Sequence, residues 1–515
     1  MTSHSHSGIR QAEIIMALSL ASDLGTGHPM EWALNSALLG VRLGEALGLG
    51  GQELHEVYYV ALLRYIGCTA DVETRIELFG DNPGEAGSQY TFIDVINADE
   101  MAGWLDRYVG RGQDPDQKLL TMQKMPTALP AHVRAHCEVA QFFVDRLGFS
   151  TTIQQSILQT YERWDGLGMP FGVKGDNLTV ATRITQLAQD VESYRRAGKM
   201  AEVEAVVRQR ANTAYDPHIA EVFCRQTDRL LSGLDDEVRL ETALAAEPGE
   251  HRYLTDDEFD VAALVLADFI DLLSPDYACH SRKVASLVAT AAQYYGLPAS
   301  DVKAVERMGW LHDIGKISVP PGIWRKKRAL SSSEWERVRL HPYYTERILG
   351  QAPLLSQLGA CAALHHERLD GSGYHRGVSG SALSPAARLL AAANFYCARL
   401  EPRSFRAAFS PEDAADELRK EIRAGKLDSD AGKAILAAAG HRVLPVRQER
   451  VAGLSEREIE VLRLIAQGLS NRQMAHSLKV AETTIGTHIA HIYDKLNVST
   501  RAAATLFAMQ NNLLQ

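Results

Sequence analysis

The strongest constraint on the fold is an internal repeat. The segment YERWDGLGMPFGVKGDNLTVATRI (161–184) matches HERLDGSGYHRGVSGSALSPAARL (366–389) at an offset of 205 residues. Upstream, EALGLGGQELHEVYYVALLRYIG (45–67) matches QYYGLPASDVKAVERMGWLHDIG (293–315) at an offset of 248. Two such matches predict two copies of one domain. The offsets differ by 43 residues, an insertion that we expect in the loop-like segment LFGDNPGEAGSQYTFIDV (78–95) of the first copy.

Apolar residues recur at helical spacing through most of the chain, and alternating strand patterns are nearly absent. The 515 residues also exceed what one hydrophobic core supports. We therefore predict an all-α protein: a first copy at 8–225, a linker at 226–254, a second copy at 255–445 and a small C-terminal domain at 446–515.

Composition excludes several classes of protein. The net charge of −10 gives no overall attraction to nucleic acid, so any DNA binding must be local. Six scattered cysteines form no CxxC pair, which argues against a disulfide framework or a thiolate zinc site. The sequence contains no apolar run of 18 residues and no recognisable export signal, so we expect a cytoplasmic protein without membrane contact.

The two copies differ where chemistry is expected. When the two copies are aligned, His312 and Asp313 of the second correspond to Arg64 and Tyr65 of the first. Other ligand-type side chains are also replaced together: His280 by Trp32, Lys316 by Cys68, His365 by Thr160 and His366 by Tyr161, whereas His341 has the identical counterpart His136.

Imidazole and carboxylate groups are ligands for iron, manganese and zinc, and one aspartate can bridge two ions. Asp313 has this potential, and Lys316 follows it by one helical turn, where it could stabilise charge on a phosphate. A single histidine such as His280 or His341 is more often a satisfied core residue. The whole set favours one or two divalent ions and phosphoryl transfer.

The motifs HDIGKISVP, His341-Pro342, HHERLDGSGYHRG and RSFRAA resemble the HD-GYP family of cyclic dinucleotide phosphodiesterases, part of the all-α HD phosphohydrolase superfamily. The resemblance implies iron or manganese as cofactor and a catalytic role for Asp313 and Lys316. It implies that Arg403 and Arg406 contact substrate phosphate, although both could be surface charges. The implied metal ligands are His280, His312, Asp313, His341, His365, His366 and the altered position Asn394.

Two positions depart from the family pattern. Asn394 stands where the family has a ligand aspartate, and His375 replaces the proline of the GYP signature. An amide oxygen is a weaker ligand than a carboxylate, so we expect metal binding with one weakened site. Whether the site turns over stays open.

The C-terminal segment predicts three short helices: a capping box of Ser455 and Glu458 opens the first, and the third runs from about Glu482 to Leu496. This is a helix-turn-helix pattern; the alternative is a helical cap on the preceding domain. LSEREIEVLRLIAQGLSN and TIGTHIAHIYDKLNVSTRAAA resemble the LuxR/FixJ DNA-binding family, a four-helix domain. The implied contacts to double-stranded DNA are Asn471, Arg472, Thr484, His488 and Lys495.

From residue 451 on, the basic residues exceed the acidic ones by only one, so we expect modest affinity and a homodimer. The leading hypothesis is a transcriptional regulator whose second copy senses or degrades a cyclic dinucleotide such as cyclic di-GMP. The alternatives are a ligand- or metal-sensing transcription factor that has lost turnover, and a nucleotide phosphohydrolase with an accessory DNA-binding domain.

Overall fold

The computed structural model describes residues 8–234, 240–350, 352–442, 452, 454–496, 498–510 and 513. Within these ranges no β-strand forms, and the all-α prediction is confirmed. Two compact units are present: one contains the described residues up to Leu418 and from Lys426 to 442, and the other contains Arg419–Gly425 and the described residues after 444. No described helix has both the length and the apolar character needed to cross a bilayer.

The first copy consists of α-helices, most of which have polar residues or a proline in the first turn. They are α1 (Gln11–Thr26), α2 (Trp32–Ala46), α3 (Gly51–Leu63), α4 (Val72–Phe79), α5 (Pro83–Tyr90), α6 (Ala98–Tyr108), α7 (Pro115–Arg146), α8 (Thr151–Leu158), α9 (Val180–Arg196), α10 (Met200–Arg210) and α11 (Pro217–Arg225). The connection adds α12 (Thr227–Leu231) and α13 (Leu240–Ala245).

The second copy repeats much of this order. Its helices are α14 (Asp256–Asp271), α15 (His280–Tyr295), α16 (Ala299–Leu311), α17 (Pro321–Trp324), α18 (Ser332–Arg339), α19 (His341–Leu349), α20 (Pro353–Ala362), α21 (Pro385–Leu400), α22 (Pro411–Arg423) and α23 (Ser429–Ala438). Short 3-10 helices occur at Gly175–Asn177, Pro275–Tyr277, Ile314–Ser318 and Gly380–Ala382. Helices α2, α3 and α9 begin at the positions that the repeat aligns with the starts of α15, α16 and α21.

The shared glycines explain why both copies keep one backbone path. A Cβ atom on Gly67 would lie 2.1 Å from the carbonyl oxygen of His136, and one on Gly315 would lie 2.0 Å from that of His341. Neither distance is sterically possible without moving the backbone. These glycines therefore bring the segment after α3 or α16 against the helix that carries the matched histidine, α7 or α19.

The inserted segment of the first copy is helical, so the expectation of a loop was wrong. Pro83 begins α5 in the first turn, where proline is tolerated, and the Asn97 side chain caps α6. The indole of Trp104 packs against Phe79 and Tyr90 in a small core of its own. Local glycine and proline content misled the prediction because these residues stand mostly at helix starts.

The connection between the copies packs against the first copy where it is described. The Tyr58 hydroxyl donates to the carbonyl of Ala243 at 2.8 Å, and the Tyr59 hydroxyl donates to the buried carboxylate of Glu247 at 2.5 Å. Arg10 forms an ion pair with the same carboxylate. Residues 235–239 of the predicted linker lie outside the described residues.

The C-terminal unit contains α24 (Glu456–Ala466), α25 (Asn471–Leu478), α26 (Glu482–Leu496) and α27 (Arg501–Gln510) around a separate apolar core. The predicted capping box of Ser455 and Glu458 is confirmed, and Ser470 caps α25 in the same way. Lys479 ends α25 with φ of 52°, in the left-handed region that favours glycine. The domain boundaries themselves stay a prediction.

Candidate metal centre

Six of the predicted ligands converge in the second copy, each beside a helix end. His280 begins α15, His312 and Asp313 follow α16, and His341 begins α19. The pair His365 and His366 lies in the turn after α20. Five of the six side chains are buried, with relative exposures of 0–1%, and His366 is half-buried. The fold thus assembles residues that are up to 86 positions apart, His280 and His366, at one point.

Asp313 lies at the centre of the cluster and divides the histidines into two groups. Its Oδ2 atom is 3.4 Å from His280 Nε2 and 3.1 Å from His312 Nε2. Its Oδ1 atom is 3.5 Å from His341 Nε2 and 3.4 Å from His365 Nε2. The candidate ligand atoms of His280, His312 and Asp313 lie within 4.8 Å of one another, as do those of His341, His365 and His366.

Backbone carbonyls fix the tautomer of three of these histidines. His312 Nδ1 donates to Gly309 at 2.8 Å, His341 Nδ1 to Val338 at 2.6 Å, and His365 Nδ1 to Ala362 at 2.7 Å, in each case three residues back. This leaves a lone pair on each Nε2 atom, directed at Asp313. Metal-binding histidines characteristically donate the other ring N–H in this way.

Several polar atoms of the cluster lack the partner that burial demands. His312 Nε2 and Asp313 Oδ1 are buried without a hydrogen-bond partner, whereas Asp313 Oδ2 is paired with Lys316. His341 Nε2 and His365 Nε2 are 3.1 Å apart, so two lone pairs face each other. Buried polar atoms are normally satisfied. A divalent cation in each group would satisfy them, so the donor set fits metal ions.

The electrostatics favour the ligand forms of most of these groups. Burial by itself raises the pKa of Asp313, but the neighbouring His312 and Lys316 and the hydrogen bond with His280 outweigh it and hold that pKa well below its usual value. Burial lowers the pKa of His365 to about 3 and lowers the pKa of His341 and of His366 as well. At neutral pH the cluster therefore offers a carboxylate at Asp313 and neutral imidazoles at His341, His365 and His366.

Asn394, in α21, also joins the cluster. Its Oδ1 atom lies 3.1 Å from His280 Nε2, while His280 Nδ1 lies 2.9 Å from a Glu401 carboxylate oxygen. Burial alone lowers the pKa of His280, but its hydrogen bonds with Asp313 and Glu401 outweigh burial and raise it. His280 thus has acceptors on both ring nitrogens, which distinguishes its group from the three-histidine group.

Lys316 and Arg403 place positive charge beside the cluster. The Lys316 ammonium is 2.5 Å from Asp313 Oδ2 and 4.2 Å from the ring centroid of Tyr277. The Arg403 guanidinium lies over the same ring at 4.8 Å and pairs with Glu401 at 3.0 Å. Both cations therefore lie against one aromatic ring, a favourable contact for each.

Arg406 is bonded differently. Its guanidinium donates to the backbone carbonyls of Ala398, Arg399, Glu401 and Ala407, at 2.8–3.2 Å. These carbonyls include the end of α21. The predicted phosphate contact of Arg406 stays a prediction, and its present contacts hold the loop that carries Arg403.

Some residues near the centre were missed by the sequence analysis. Glu401 fixes His280, Tyr277 contacts Lys316, and the Tyr374 ring stacks on His366 at 4.6 Å. Glu367 is 1% exposed and accepts from the backbone N–H groups of Arg376 and Gly377. The repeat carried a signal for this last residue, because its counterpart Glu162 is also a glutamate.

In the C-terminal unit, the predicted DNA contacts lie on α25 and α26. Arg472 and Thr484 are exposed, whereas Asn471 and His488 are half-buried. Lys495 Nζ is 2.7 Å from a Glu458 carboxylate oxygen. Burial by itself raises the pKa of Glu458, but hydrogen bonds from Lys495 and Ser455 outweigh it and lower that pKa to about 2. The five contacts to DNA stay predictions.

Comparison with known proteins agrees with both parts of this architecture. The 3'3'-cGAMP-specific phosphodiesterase 3 of Vibrio cholerae is 27% identical over 434 residues, 83% of this chain and 94% of that protein. The cyclic di-GMP phosphodiesterase response regulator RpfG of Xanthomonas campestris is 34% identical over 135 residues, 26% of this chain and 36% of that protein.

A crystal structure of a cyclic GMP-AMP specific phosphodiesterase of V. cholerae superposes with a TM-score of 0.59 at 23% identity. It covers 85% of this chain and 99% of that one, and it shows a shared fold. Residues 105–219 and 264–431 match the HD domain family, and residues 452–508 match the bacterial regulatory proteins of the luxR family. The chain therefore belongs to the HD domain family and ends in a LuxR-type helix-turn-helix domain.

Proposed function

We propose that the second copy is a metal-dependent phosphodiesterase of cyclic dinucleotides and that the C-terminal domain couples it to DNA binding as a transcriptional regulator. The observation that carries the proposal is the position of Asp313, whose two oxygens each face two histidine Nε2 atoms at 3.1–3.5 Å. A carboxylate with this environment is suited to bridge two ions, and paired ions support in-line displacement at phosphorus.

The residues that would hold the metal fall into two sets that share Asp313. One is His280, His312, Asp313 and Asn394, and the other is Asp313, His341, His365 and His366. Bound divalent ions, for which we propose iron or manganese, supply Lewis-acid stabilisation of the phosphate and acidify the attacking water.

The chain's own side chains have separate tasks. Lys316 and Arg403 bind and neutralise the phosphate, because both cations lie beside the cluster against Tyr277. Glu401 orients His280 through its Nδ1 atom. Arg406 positions Arg403, since the two residues exchange backbone hydrogen bonds at 2.7 and 2.9 Å.

The substrate class rests on the relatives. Their names specify 3'3'-cGAMP in the longest match and cyclic di-GMP in shorter ones. The test is hydrolysis of both compounds by the full chain, purified anaerobically and loaded with iron or manganese, with linear product followed by chromatography. We expect linear product from at least one compound, abolished by Asp313→Asn and unaffected by the exposed control Asp301→Asn. Equal product from Asp313→Asn would overturn the proposal.

A second candidate function is supported by Asn394. An amide in place of a carboxylate removes one negative charge from the His280 group, which weakens metal affinity there. A sensor that binds its cyclic dinucleotide without cleaving it would then regulate the DNA-binding domain. Bound metal and saturable nucleotide binding without linear product would establish this alternative.

The regulator role is tested separately on DNA. We expect the full chain to select a preferred sequence from a random duplex library, with cyclic dinucleotide changing the affinity. Arg472→Gln should weaken binding and reduce the slope of log affinity against log salt by about 0.9 if its charge meets one phosphate. Failure of the full chain to bind DNA even at low salt would contradict the regulator role. Homodimerisation, which would raise affinity, is checked by sedimentation of the same sample.

A further inference from the structure

The first copy contains a cavity where the second copy has its metal cluster. Its volume is about 250 Å³, and its lining includes Arg64, Tyr65 and Tyr161, the counterparts of His312, Asp313 and His366. Leu167 also lines the cavity and is 65% exposed, so the cavity opens to solvent. Substitution of the ligand residues has therefore left an accessible space.

Arg64 brings unsatisfied donors into this space. The residue is only 6% exposed, and its Nη2 atom donates to the carbonyl of Thr160 at 2.5 Å. Its Nε and Nη1 atoms are buried and have no hydrogen-bond partner. Leaving buried donors of a charged group unpaired costs on the order of 1–3 kcal/mol or more. An anionic ligand would accept these bonds.

The charge balance of the lining also favours an anion. Arg64, Arg75, Arg163 and Arg210 line the cavity, and Asp190 is the one carboxylate among the lining residues. Arg163 is paired with Asp165, so three arginines face the one carboxylate of the lining. The positive charge comes from the arginines alone at neutral pH, because burial lowers the pKa of His132 and of His136 to about 3 and keeps both rings neutral. His132 Nδ1 is a further buried atom without a hydrogen-bond partner.

The remaining walls are suited to an aromatic ring. Tyr65 and Tyr161 lie with ring centroids 6.0 Å apart, and the Arg64 guanidinium is 5.5 Å from the centroid of Tyr65. Trp104 and Tyr90 line the far side. Sites for drug-sized ligands usually occupy about 300–1,000 Å³, so this cavity lies at the lower limit and suits a single nucleotide-sized compound with one ring system and one anionic group.

We propose that the first copy binds a purine nucleoside monophosphate in this cavity, with the phosphate on Arg64 and the base against the rings of Tyr65 and Tyr161. The proposal goes beyond the proposed function and does not depend on it, because it requires neither metal nor turnover. The degenerate copy would thereby be a second ligand site, separate from the metal cluster.

The test is calorimetric titration of the full chain, freed of metal with chelator, using GMP, AMP and inorganic phosphate as probes. We expect one nucleotide per chain, binding at least tenfold weaker in Arg64→Gln, and unchanged affinity in His312→Gln, the variant at the equivalent position of the second copy. Leu129→Trp, which fills the cavity without removing Arg64, should also weaken binding at least tenfold. This variant carries the test if Arg64→Gln fails to fold.

The contrary outcomes are distinct. Nucleotide affinity that is lost in His312→Gln but kept in Arg64→Gln and Leu129→Trp would locate binding in the second copy and overturn the proposal. No nucleotide binding at millimolar concentration would overturn it too. Phosphate binding as tight as that of GMP and AMP would reduce the site to one for simple anions and overturn the nucleotide assignment. Because no arm measures hydrolysis, failure here is separable from failure of the proposed phosphodiesterase.

Discussion

The two copies share a frame and differ in what the frame holds. In both copies, a Cβ atom added to a glycine, Gly67 or Gly315, would lie about 2 Å from the carbonyl oxygen of the matched histidine. In both, a buried glutamate, Glu162 or Glu367, accepts backbone N–H groups of the following loop. The contacts that set backbone positions are therefore retained, and the side chains that point into the shared centre are replaced.

The difference is clearest for the one histidine that both copies keep. His341 Nε2 lies 3.5 Å from Asp313 and 3.1 Å from another imidazole, whereas His136 Nε2 lies 3.3 Å from the carbonyl oxygen of Arg64. The same residue at the matched position is a candidate ligand in one copy and a packed core residue in the other. Ligand chemistry thus depends on the set and not on any single histidine.

The largest expected effect comes from substituting this matched pair. His341→Gln should lower turnover by on the order of 10³-fold and remove at least one metal equivalent, because it deletes a direct ligand. Loss of a residue that only hydrogen-bonds a ligand already lowers metal affinity or activity by about 10–100-fold. His136→Gln should leave the metal content unchanged. Metal analysis and product formation on the full chain measure both. Equal loss of metal in the two variants would break the comparison.

A smaller effect, shared by the copies, tests the common frame. Gly67→Ala and Gly315→Ala should each destabilise by about 1–3 kcal/mol, because an added methyl group meets a carbonyl oxygen that cannot move freely. Gly51→Ala is the matched control, since a Cβ there has no contact within 4 Å. Urea unfolding measures the cost. Gly315→Ala should also lose metal and Gly67→Ala should not; a neutral Gly67→Ala would contradict the shared close approach.

The sequence predicted the shared backbone path and the histidine ligands because both can be recognised from short motifs. Glycines at fixed spacing and adjacent pairs such as His312-Asp313 can be recognised without a structure. Glu401 could not be found in this way, since it meets His280 from 121 positions away. The helices of the insertion were missed because Pro83 resembles a loop residue when the packing of Trp104 is unknown. The long-range partners of the site require the tertiary arrangement.

The two copies should also differ in how acid changes their stability. Burial, with the charge of Arg75, lowers the pKa of His132 to about 3, below the ordinary value of 6.5. The folded state keeps this ring neutral while the unfolded state takes up a proton below pH 6.5. The neutral His132 ring therefore costs no stability above pH 6.5. Below pH 6.5 the free energy of unfolding falls by about 1.4 kcal/mol per pH unit until the pH approaches 3.

His132→Phe should reduce the loss of unfolding free energy between pH 6 and pH 5 by about 1.4 kcal/mol. Urea unfolding of the full chain at both pH values measures this difference, with the exposed His251→Phe as control. Because burial and not metal keeps this histidine neutral, chelator should leave the difference unchanged. A difference that appears only with metal bound would assign the effect to the second copy.

The smallest expected effect concerns a position at which both copies depart from the HD-GYP pattern. Asn394 aligns with Gln189, so both copies carry an amide where the HD-GYP pattern has a ligand aspartate. Gln189 donates to the carbonyl of Ala61 at 3.2 Å, whereas Asn394 faces His280 at 3.1 Å. Only Asn394 stands among ligand-type groups. Asn394→Asp should therefore raise turnover about tenfold, or about 1.4 kcal/mol in barrier, and tighten one metal equivalent.

Gln189→Glu is the matched control in the first copy. It adds a carboxylate beside the carbonyl of Ala61 rather than beside imidazoles, so metal content should not rise. If Asn394→Asp binds more metal and turns over faster, the second copy is an active centre weakened at one ligand. If metal and turnover stay constant, the amide is already an adequate partner for His280, and the weakness must be sought in the substrate contacts of Lys316 and Arg403.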